Sequence, residues 1–256
     1  DQEWEGKSLP IGNGSIGANV MGSVEVERYT LNEKTLWRGG PGTGRGADKG
    51  TAKGAAHYWD VNVPAARVLP EIRQAFADGD FDKAARLTRD NFHNDVPYEA
   101  DGEPEFRFGS FTTLGELLIE TGHDAGSVKG YRRALSLDSA VATVSYQLDG
   151  VSFTRSSFIS YPANAMVVRF AASERGKQNL TLRYNPSPVS EGRKMAVDND
   201  GIVYEGRLDN NGMQYVVRLK AVVKGGTVSN ANGELSVKGA DEVVFVLTAD
   251  TDYKPN

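Results

Sequence analysis

The strongest constraint on the fold is a pattern of alternating segments joined by short turns. Residues Val141–Leu148 alternate apolar and polar side chains, and Val151–Phe158 repeat the alternation. Between them, Asp149-Gly150 has the composition of a two-residue type I′ turn, which joins antiparallel strands. These residues therefore predict a β-hairpin.

The last third of the chain continues this pattern. Met213–Val223 places an apolar residue at every second position, and Val243–Leu247 is a continuous apolar run typical of a central strand. Asn, Asp and Gly clusters at residues 199–201, 210–212 and 232–233 indicate turns. About a dozen strands separated by such turns predict an all-β fold, a large two-sheet antiparallel β-sandwich.

One segment, Pro64–Phe92, has helical periodicity instead and predicts an inserted α-hairpin. Gly79 occupies the position of a left-handed C-terminal cap, and Asp80 can cap the following helix by accepting backbone N–H bonds. The charged side chains of this segment lie on its outward face, so we assign them no chemistry. The apolar faces of the two predicted helices comprise Val68, Leu69, Ile72 and Phe76, then Phe81, Ala84, Ala85 and Thr88.

Composition excludes several classes of protein. The formal charge of −5 and the pI of about 5.4 provide no basic surface for nucleic acid. No apolar run approaches the roughly 20 residues of a membrane-spanning helix. The chain has no cysteine, which excludes disulfides and thiolate metal sites. At 256 residues it is compatible with one large β domain, and we expect residues 1–256 to form a single domain.

The segment from Leu9 to Pro41 carries an unusual density of glycine, polar and aromatic residues. Its Gly12-x-Gly14-x-x-Gly17 spacing matches a dinucleotide-binding fingerprint, which requires a buried strand before it and a helix after it. Residues 18–31 alternate like paired strands, so the context for that fingerprint is missing. Within this alternation, Val24, Val26 and Leu31 indicate the core face of a strand. The glycines instead indicate turns and close backbone approach, with Asn13-Gly14 a common site of positive φ.

The same segment resembles the opening of glycoside hydrolase family 95, the alpha-L-fucosidases. The resemblance is carried by LPIGNGSIGANVMG and VERYTLNEKTLWRGGP, and continues over essentially the whole chain through LPEIR, LGEL, YRRAL and GAD. It implies a galactose mutarotase-like supersandwich that forms the N-terminal domain of such an enzyme. Catalysis in that family is assigned to a later (α/α)6 barrel, which we expect downstream and which is absent here.

The resemblance also implies partners and a location. It implies that the domain packs on its own catalytic barrel in an inverting enzyme acting on fucosylated oligosaccharides. It further implies an exported, periplasmic or extracellular protein. The sequence starts at Asp1 without a signal peptide, so we expect that any such peptide was cleaved or lies outside this chain.

Three further stretches follow the opening strands. Residues 39–54 are rich in glycine and poor in apolar residues, which predicts a mobile loop. The cluster at residues 57–60 includes Tyr58 and Trp59, whose rings are suited to stacking on a sugar and equally to packing the end of the loop. Residues 91–110 have no period and predict a long loop returning to the sheet.

The sequence predicts no catalytic residue, cofactor or metal site in this chain. Glu33 and Asp60 are the acids in polar-aromatic surroundings, but Glu33 is equally suited to accept hydrogen bonds from backbone amides, and no tuned acid pair is indicated. His57, His93 and His123 stand far apart without a second ligand at i+2 or i+4. A Gly-x-Ser-x-Gly elbow is absent.

Six residues are therefore candidates for a substrate rim or a domain interface. Trp37 has two interpretations: an exposed anchor facing the barrel, or a plug at one end of the sandwich. Two other functions stay open, a self-sufficient aldose epimerase-like enzyme and a freestanding carbohydrate-binding module. The isolated histidines count against the epimerase. The candidate rim or interface residues are Asn13, Asn32, Glu33, Trp37, Tyr58 and Trp59.

Overall fold

The computed structural model describes residues 4–38, 64–92, 110–198, 200–209, 211–231 and 233–254. The predicted mobile loop at residues 39–54, the Tyr58-Trp59 cluster and most of the predicted return loop lie outside these ranges. The chain divides into two compact units, one made of Asp1–Trp37 with Phe111–Asn256 and the other of Arg38–Ser110.

The first unit is built almost entirely from strands, and the two-sheet antiparallel sandwich predicted from the sequence is confirmed. A single helical turn, α1 (Trp4–Lys7), precedes the first strand. In chain order the strands are β1 (Leu9–Gly12), β2 (Ile16–Val20), β3 (Val26–Glu33), β4 (Trp37–Arg38), β5 (Ser110–Phe111), β6 (Gly115–Glu120), β7 (Lys129–Ser136), β8 (Val141–Leu148), β9 (Val151–Ser160), β10 (Ala165–Ala172), β11 (Gln178–Pro186), β12 (Ser190–Val197), β13 (Gly201–Leu208), β14 (Gln214–Lys224), β15 (Thr227–Ala231), β16 (Glu234–Ala240) and β17 (Glu242–Thr251).

The strands form two large sheets and one short ribbon. The seven-stranded sheet has the order β1-β2-β3-β6-β11-β16-β15, and the eight-stranded sheet has the order β12-β13-β14-β17-β10-β9-β8-β7. Strands β4 and β5 pair as the ribbon. The predicted hairpin is β8–β9, and Asp149 and Gly150 both have positive φ, as a type I′ turn requires. The predicted central strand is β17, between β14 and β10.

The core lies between the inner faces of the two sheets. Alternate residues of each strand point inward, which is the period of a half-buried strand. The largest buried cluster combines Tyr29 and Leu31 of β3 with Phe245 and Leu247 of β17. The same cluster includes Tyr184, Tyr204 and Tyr215, whose tilted rings contact in sequence with centroids 5.4 and 5.6 Å apart.

The inner face of β3 differs from the one that the sequence suggested. Val24, Val26 and Leu31 had indicated the core side, but the buried residues of β3 are Glu27, Tyr29, Leu31 and Glu33. Val24 precedes β3 and is buried in a second, smaller cluster, while Val26 is half-buried. The prediction failed because Val24 and Leu31 differ in parity, and a strand places odd and even positions on opposite faces.

The described part of the second unit is helical, as the periodicity of Pro64–Phe92 predicted. A 3₁₀ turn at Pro64–Arg67 precedes α2 (Leu69–Ala77) and α3 (Phe81–Asn91). Gly79 has φ +75°, and the Asp80 side chain accepts a hydrogen bond from the Lys83 N–H at 3.0 Å, so both predicted caps are confirmed.

The predicted apolar faces of these helices are only partly buried. Ile72, Ala75 and Ala84 are buried, whereas Phe76 and Phe81 are exposed and contact each other edge-on at 6.1 Å. The aromatic rings at the helix–helix turn therefore pack on each other more than on a core. None of the helices in the described ranges combines the length and apolar character of a membrane span.

Candidate functional site

Four of the six candidate residues lie at one end of the sandwich, which we call the Trp37 end. The β1–β2 turn and the segment after β3 meet there, because the Lys34 N–H donates to the Ser15 carbonyl at 2.9 Å. The end of β17 joins them through a hydrogen bond between the hydroxyls of Thr35 and Thr251. The Trp37 end consists of residues 13–15, 32–37, 111, 160–164, 211 and 251–253. Tyr58 and Trp59 lie outside the described residues.

Asn13 connects two turns of the Trp37 end. Its Oδ1 accepts hydrogen bonds from the backbone N–H groups of Ser15 and Ile16 at 2.9 and 2.8 Å. Its Nδ2 donates to the Ser160 carbonyl and to the Asn164 side chain at 3.0 and 2.9 Å. The Asn13 amide therefore both shapes its own turn and holds it against the β9–β10 turn.

Asn32 and Glu33 point to opposite faces of β3, so the structure does not bring them together. Glu33 faces inward and is buried, and its Oε2 accepts hydrogen bonds from the Thr35 N–H and hydroxyl at 2.8 and 2.6 Å. This is the structural acceptor role considered from the sequence. Asn32 is half-buried on the outward face, opposite Gly17 of β2.

Trp37 lies at the surface, with 44% of its area exposed. Its indole N–H donates to the Lys34 carbonyl at 3.1 Å, and its ring meets that of exposed Phe111 edge-on at 5.9 Å. The Asn211 amide donates to the Trp37 carbonyl at 2.7 Å. The backbone of Trp37 is thus fixed while one side of the indole and of the Phe111 ring stays open.

The structure also reveals a buried charge cluster that the sequence analysis missed. Glu27 on β3 and Arg155 on β9 form an ion pair between the sheets, with exposed fractions of 0% and 3%. A Glu27 oxygen also accepts from the Gly22 N–H at 2.7 Å, and Arg155 donates to the Ser23 carbonyl at 3.0 Å. The guanidinium lies over the Phe170 ring, 4.8 Å from its centroid.

His123 and Tyr146 complete this group, which we call the Arg155 cluster (Glu27, His123, Tyr146, Arg155). The His123 Nδ1 and the Tyr146 hydroxyl are 2.8 Å apart. The His123 ring also packs on Phe153, with centroids 4.4 Å apart. A sequence signal for the cluster existed: Glu27 shares a strand face with Tyr29 and Leu31, and Arg155 shares one with Val151 and Phe153.

Burial dominates the electrostatics of the Arg155 cluster. It raises the pKa of Glu27, while the Arg155 charge and the Gly22 N–H act in the opposite direction. Burial also lowers the pKa of Arg155, but Glu27, Tyr29 and Tyr146 together raise it by more, so the net pKa lies above the ordinary value. The pKa of His123 is lowered, first by burial and then by the Arg155 charge.

A small pocket borders the Arg155 cluster, and its size limits what it can hold. Its volume of about 10 Å³ corresponds to about one water molecule. The Arg155 Nε has no hydrogen-bond partner among the described residues. A sugar ring cannot enter this space or reach the buried Glu27 carboxylate, so the pocket does not provide the sugar site that an epimerase needs. The lining residues are Thr121, His123, Tyr146, Phe153, Thr154, Arg155, Phe170, Ala171 and Gln178.

The acidic side chains buried within the described ranges already have partners inside the domain. Glu27 and Glu33 are the buried acids among the described residues, and both are occupied by internal hydrogen bonds. The described ranges contain no group of three His, Cys, Asp or Glu side chains that could hold a metal ion. Of the three histidines, His57 and His93 lie outside these ranges.

Comparison with protein families decides which family this sandwich represents. The model described as "Glycosyl hydrolase family 65, N-terminal domain" matches residues 2–256. The chain belongs to this family. The match extends over both compact units, so the helical unit lies within the family domain. The sequence-based assignment to the N-terminal sandwich of a glycoside hydrolase is therefore confirmed.

The curated relatives of this family 65-type domain are named as fucosidases, which confirms the resemblance seen in the sequence. "Alpha-L-fucosidase 2" of Arabidopsis thaliana is 26% identical over 96% of this chain. "Probable alpha-fucosidase A" of Aspergillus niger is 31% identical, and the protein of the same name in Aspergillus oryzae is 25% identical, each over 96% of the chain. The chain spans only 29–31% of the length of these relatives.

Proposed function

We propose that this chain is the non-catalytic N-terminal domain of an inverting alpha-L-fucosidase that acts on fucosylated oligosaccharides. The supporting observation is the family match over residues 2–256, combined with fucosidase relatives of which the chain spans 29–31%. A domain of this size leaves room in those proteins for a separate catalytic barrel. The catalytic groups then lie in that barrel, and the sandwich packs on it.

The contacts of the buried acids support a non-catalytic role. Inverting hydrolysis needs two carboxyl groups about 6.5–9.5 Å apart, on either side of a bound sugar. The Glu27 carboxylate pairs with Arg155 and accepts a hydrogen bond from Gly22, and the Glu33 carboxylate accepts from Thr35. Neither carboxylate is available to a glycosidic oxygen without breaking the bonds that hold its strand.

The Trp37 end is the part of the sandwich that we propose contacts the catalytic domain. The exposed Trp37 and Phe111 rings form an apolar surface of the kind that anchors interfaces. Asn32 is the other outward-facing candidate, whereas Asn13 and Glu33 hold the surface in place from within. Tyr58 and Trp59 stay candidates for the rim of the substrate pocket. The fucosidase assignment is also the basis for proposing an exported protein.

The test compares the purified 256-residue chain with the longer protein. We expect the longer protein to release fucose from 2′-fucosylated oligosaccharides and the chain alone to release none. Binding of the same oligosaccharides to the chain alone should also be absent, whereas a freestanding carbohydrate-binding module would bind them.

A matched variant makes this test decisive. Fucose release by the chain alone that is lost on Glu33→Gln or Glu27→Gln, with the fold intact by circular dichroism, would refute the non-catalytic assignment. Release that is unchanged by both variants would point to a contaminating enzyme, which a second purification step removes.

A further inference from the structure

The outer face of the eight-stranded sheet carries an apolar patch on strands whose other outward residues are mostly polar. Because side chains alternate along a strand, the residues between the buried positions of β9, β10, β14 and β17 point away from the core. Five of these outward positions are apolar and adjacent. The apolar patch consists of Phe158, Val167, Val222, Val244 and Val246.

Strand register brings the patch residues together. Val167 of β10 pairs with Phe158 of β9 on one side and with Val246 of β17 on the other. In the neighbouring row, Val244 pairs with Val222 of β14. Directly paired residues in antiparallel sheets have Cβ atoms about 4.5–5.5 Å apart, so the five side chains form one continuous surface across four strands.

The outer face of the seven-stranded sheet provides a contrast within the same molecule. There Arg183 forms ion pairs with Glu120 and Glu234, and Arg28 lies 3.8 Å from Glu116. Leu118 is an isolated apolar residue between two arginines, because it pairs with Arg28 and Arg183. This face has the composition of a surface in contact with water.

The sequence of β17 is typical of a strand that is buried on both faces. A continuous apolar run such as Val243–Leu247 is typical of strands buried on both sides. In the structure the odd-numbered residues of this run are buried, whereas Val244 and Val246 keep part of their surface exposed. Val222 beside them is 55% exposed. Among the described residues, the side of the run formed by Val244 and Val246 therefore lacks the full cover that its composition fits.

Charges at the border of the patch are neutralised within the sheet. Arg169, which pairs with Val244, forms an ion pair with Glu242. Lys220, which pairs with Val246, lies 3.3 Å from Asp200. A partner covering the patch therefore needs no complementary charge at its centre, and an apolar surface rimmed by polar groups fits it best.

We propose that the apolar patch is a second interface, covered by an apolar surface of another domain of the same longer polypeptide. This inference rests on the proposed function, since relatives of which the chain spans 29–31% leave most of their length to supply the cover. The patch and the Trp37 end are also close. Val246 and Thr251 are five positions apart on β17, about 16 Å along the strand. One neighbouring domain can contact both.

Cysteine labelling tests the proposal, because the chain has no native cysteine. Val246→Cys reports the patch, Leu118→Cys on the other outer face is the matched half-buried control, and Trp37→Cys reports the Trp37 end. Each is introduced into the 256-residue chain and into the longer protein, with any cysteines elsewhere replaced by serine. The measured quantity is the rate of modification by a maleimide under native conditions.

We expect Val246→Cys to react at least about tenfold more slowly in the longer protein than in the chain alone, because a packed interface must open before the thiol is reached. Leu118→Cys should react at similar rates in both. A circular dichroism melt of each variant checks that the fold is retained. Where Val246→Cys disturbs the sheet, Val222→Cys, at the most exposed position of the patch, replaces it.

The outcomes separate this inference from the proposed function. Equal reactivity of Val246→Cys in both proteins, with Trp37→Cys protected in the longer one, overturns the second interface and leaves the proposed function intact. Equal reactivity at all three positions contradicts domain packing as a whole. Protection of Val246→Cys in the chain alone that disappears on dilution shows that a second copy covers the patch, which also overturns the proposal.

Discussion

The Arg155 cluster and the Trp37 end use similar residue types but differ in which of them are buried. At the Arg155 cluster, charged groups are enclosed, and the aromatic rings of Phe153 and Phe170 from the eight-stranded sheet lie beside them. At the Trp37 end, aromatic rings are exposed, and polar groups beneath them hold the turns together. The buried charged groups are paired within the domain and stabilise its fold. The exposed aromatic rings are available to contact another domain. Substitutions in the Arg155 cluster should therefore reduce the stability of the isolated chain more than substitutions at the surface of the Trp37 end.

The largest effect is expected at the Arg155 cluster. Glu27→Gln keeps the shape of the side chain but leaves Arg155 charged and without its counter-ion in the core. Breaking a buried ion pair in this way typically costs about 3–5 kcal/mol. We expect a loss of that size in the free energy of unfolding of the isolated chain, measured by urea denaturation.

A double variant serves as the control for this prediction. Glu27→Leu combined with Arg155→Met removes both charges together and should be less destabilised than Glu27→Gln, because no unpaired charge stays buried. If Glu27→Gln lowers the free energy of unfolding by less than about 1 kcal/mol, water must reach the guanidinium. That result would contradict the enclosure of the Arg155 cluster.

A smaller effect is expected at Asn13, which stabilises the Trp37 end from within. Asn13→Ala removes four hydrogen bonds at a half-buried position, and we expect a loss of about 1–3 kcal/mol. Asn13→Asp keeps the acceptor for Ser15 and Ile16 but loses the donor to Ser160. Hydrogen exchange should then show a protected β1–β2 turn beside a loosened β9–β10 turn. Equal loosening of both turns in Asn13→Asp would contradict the division of roles between Oδ1 and Nδ2.

Trp37→Ala should change the stability of the isolated chain less than either substitution above. The substitution removes the edge-on contact between Trp37 and Phe111, which is worth about 0.5–1.5 kcal/mol. Truncating a tryptophan in the core would instead cost roughly 3–5 kcal/mol. In the longer protein the same change should weaken domain docking or fucosidase activity. A large loss of stability in the isolated chain, with unchanged activity per folded molecule of the longer protein, would favour the plug over the interface.

The smallest effect is a pH dependence at His123. The groups that face it are Tyr146, Phe153 and Arg155, with Glu27 behind the guanidinium. Because the folded pKa is lowered, the unfolded chain binds the proton first as pH falls. This contribution to stability is complete above about pH 6.5 and decreases as pH falls below it towards the folded pKa. It is small because His123 is only half-buried.

The measurement is the melting temperature between pH 7.5 and 5. His123→Gln retains a hydrogen-bonding group for Tyr146 but does not titrate, so the part of the slope due to His123 should disappear. An unchanged slope in His123→Gln would show that other groups produce it.

Local pattern allowed most of the fold to be predicted, and it failed where parity or long-range contact mattered. The β8–β9 hairpin, the helix caps at Gly79 and Asp80 and the central position of β17 follow from signals within a few residues. The inner face of β3 was misassigned, because its buried residues include Glu27 and Glu33, which burial scales place outside. The sequence analysis placed Asn32 and Glu33 in one candidate surface, although adjacent strand residues point to opposite faces.

The sequence by itself determined an antiparallel β-sandwich with a helical insertion, because strand period, turn composition and capping residues act over short distances. It also determined the family, because the motifs that carry the resemblance are written in the chain. Only the tertiary structure decided which charges are buried and which apolar residues stay exposed. Glu27 and Arg155 are 128 positions apart, and Phe158, Val222 and Val246 come from three strands. Burial depends on what packs across the sheets, and a linear pattern does not contain that information.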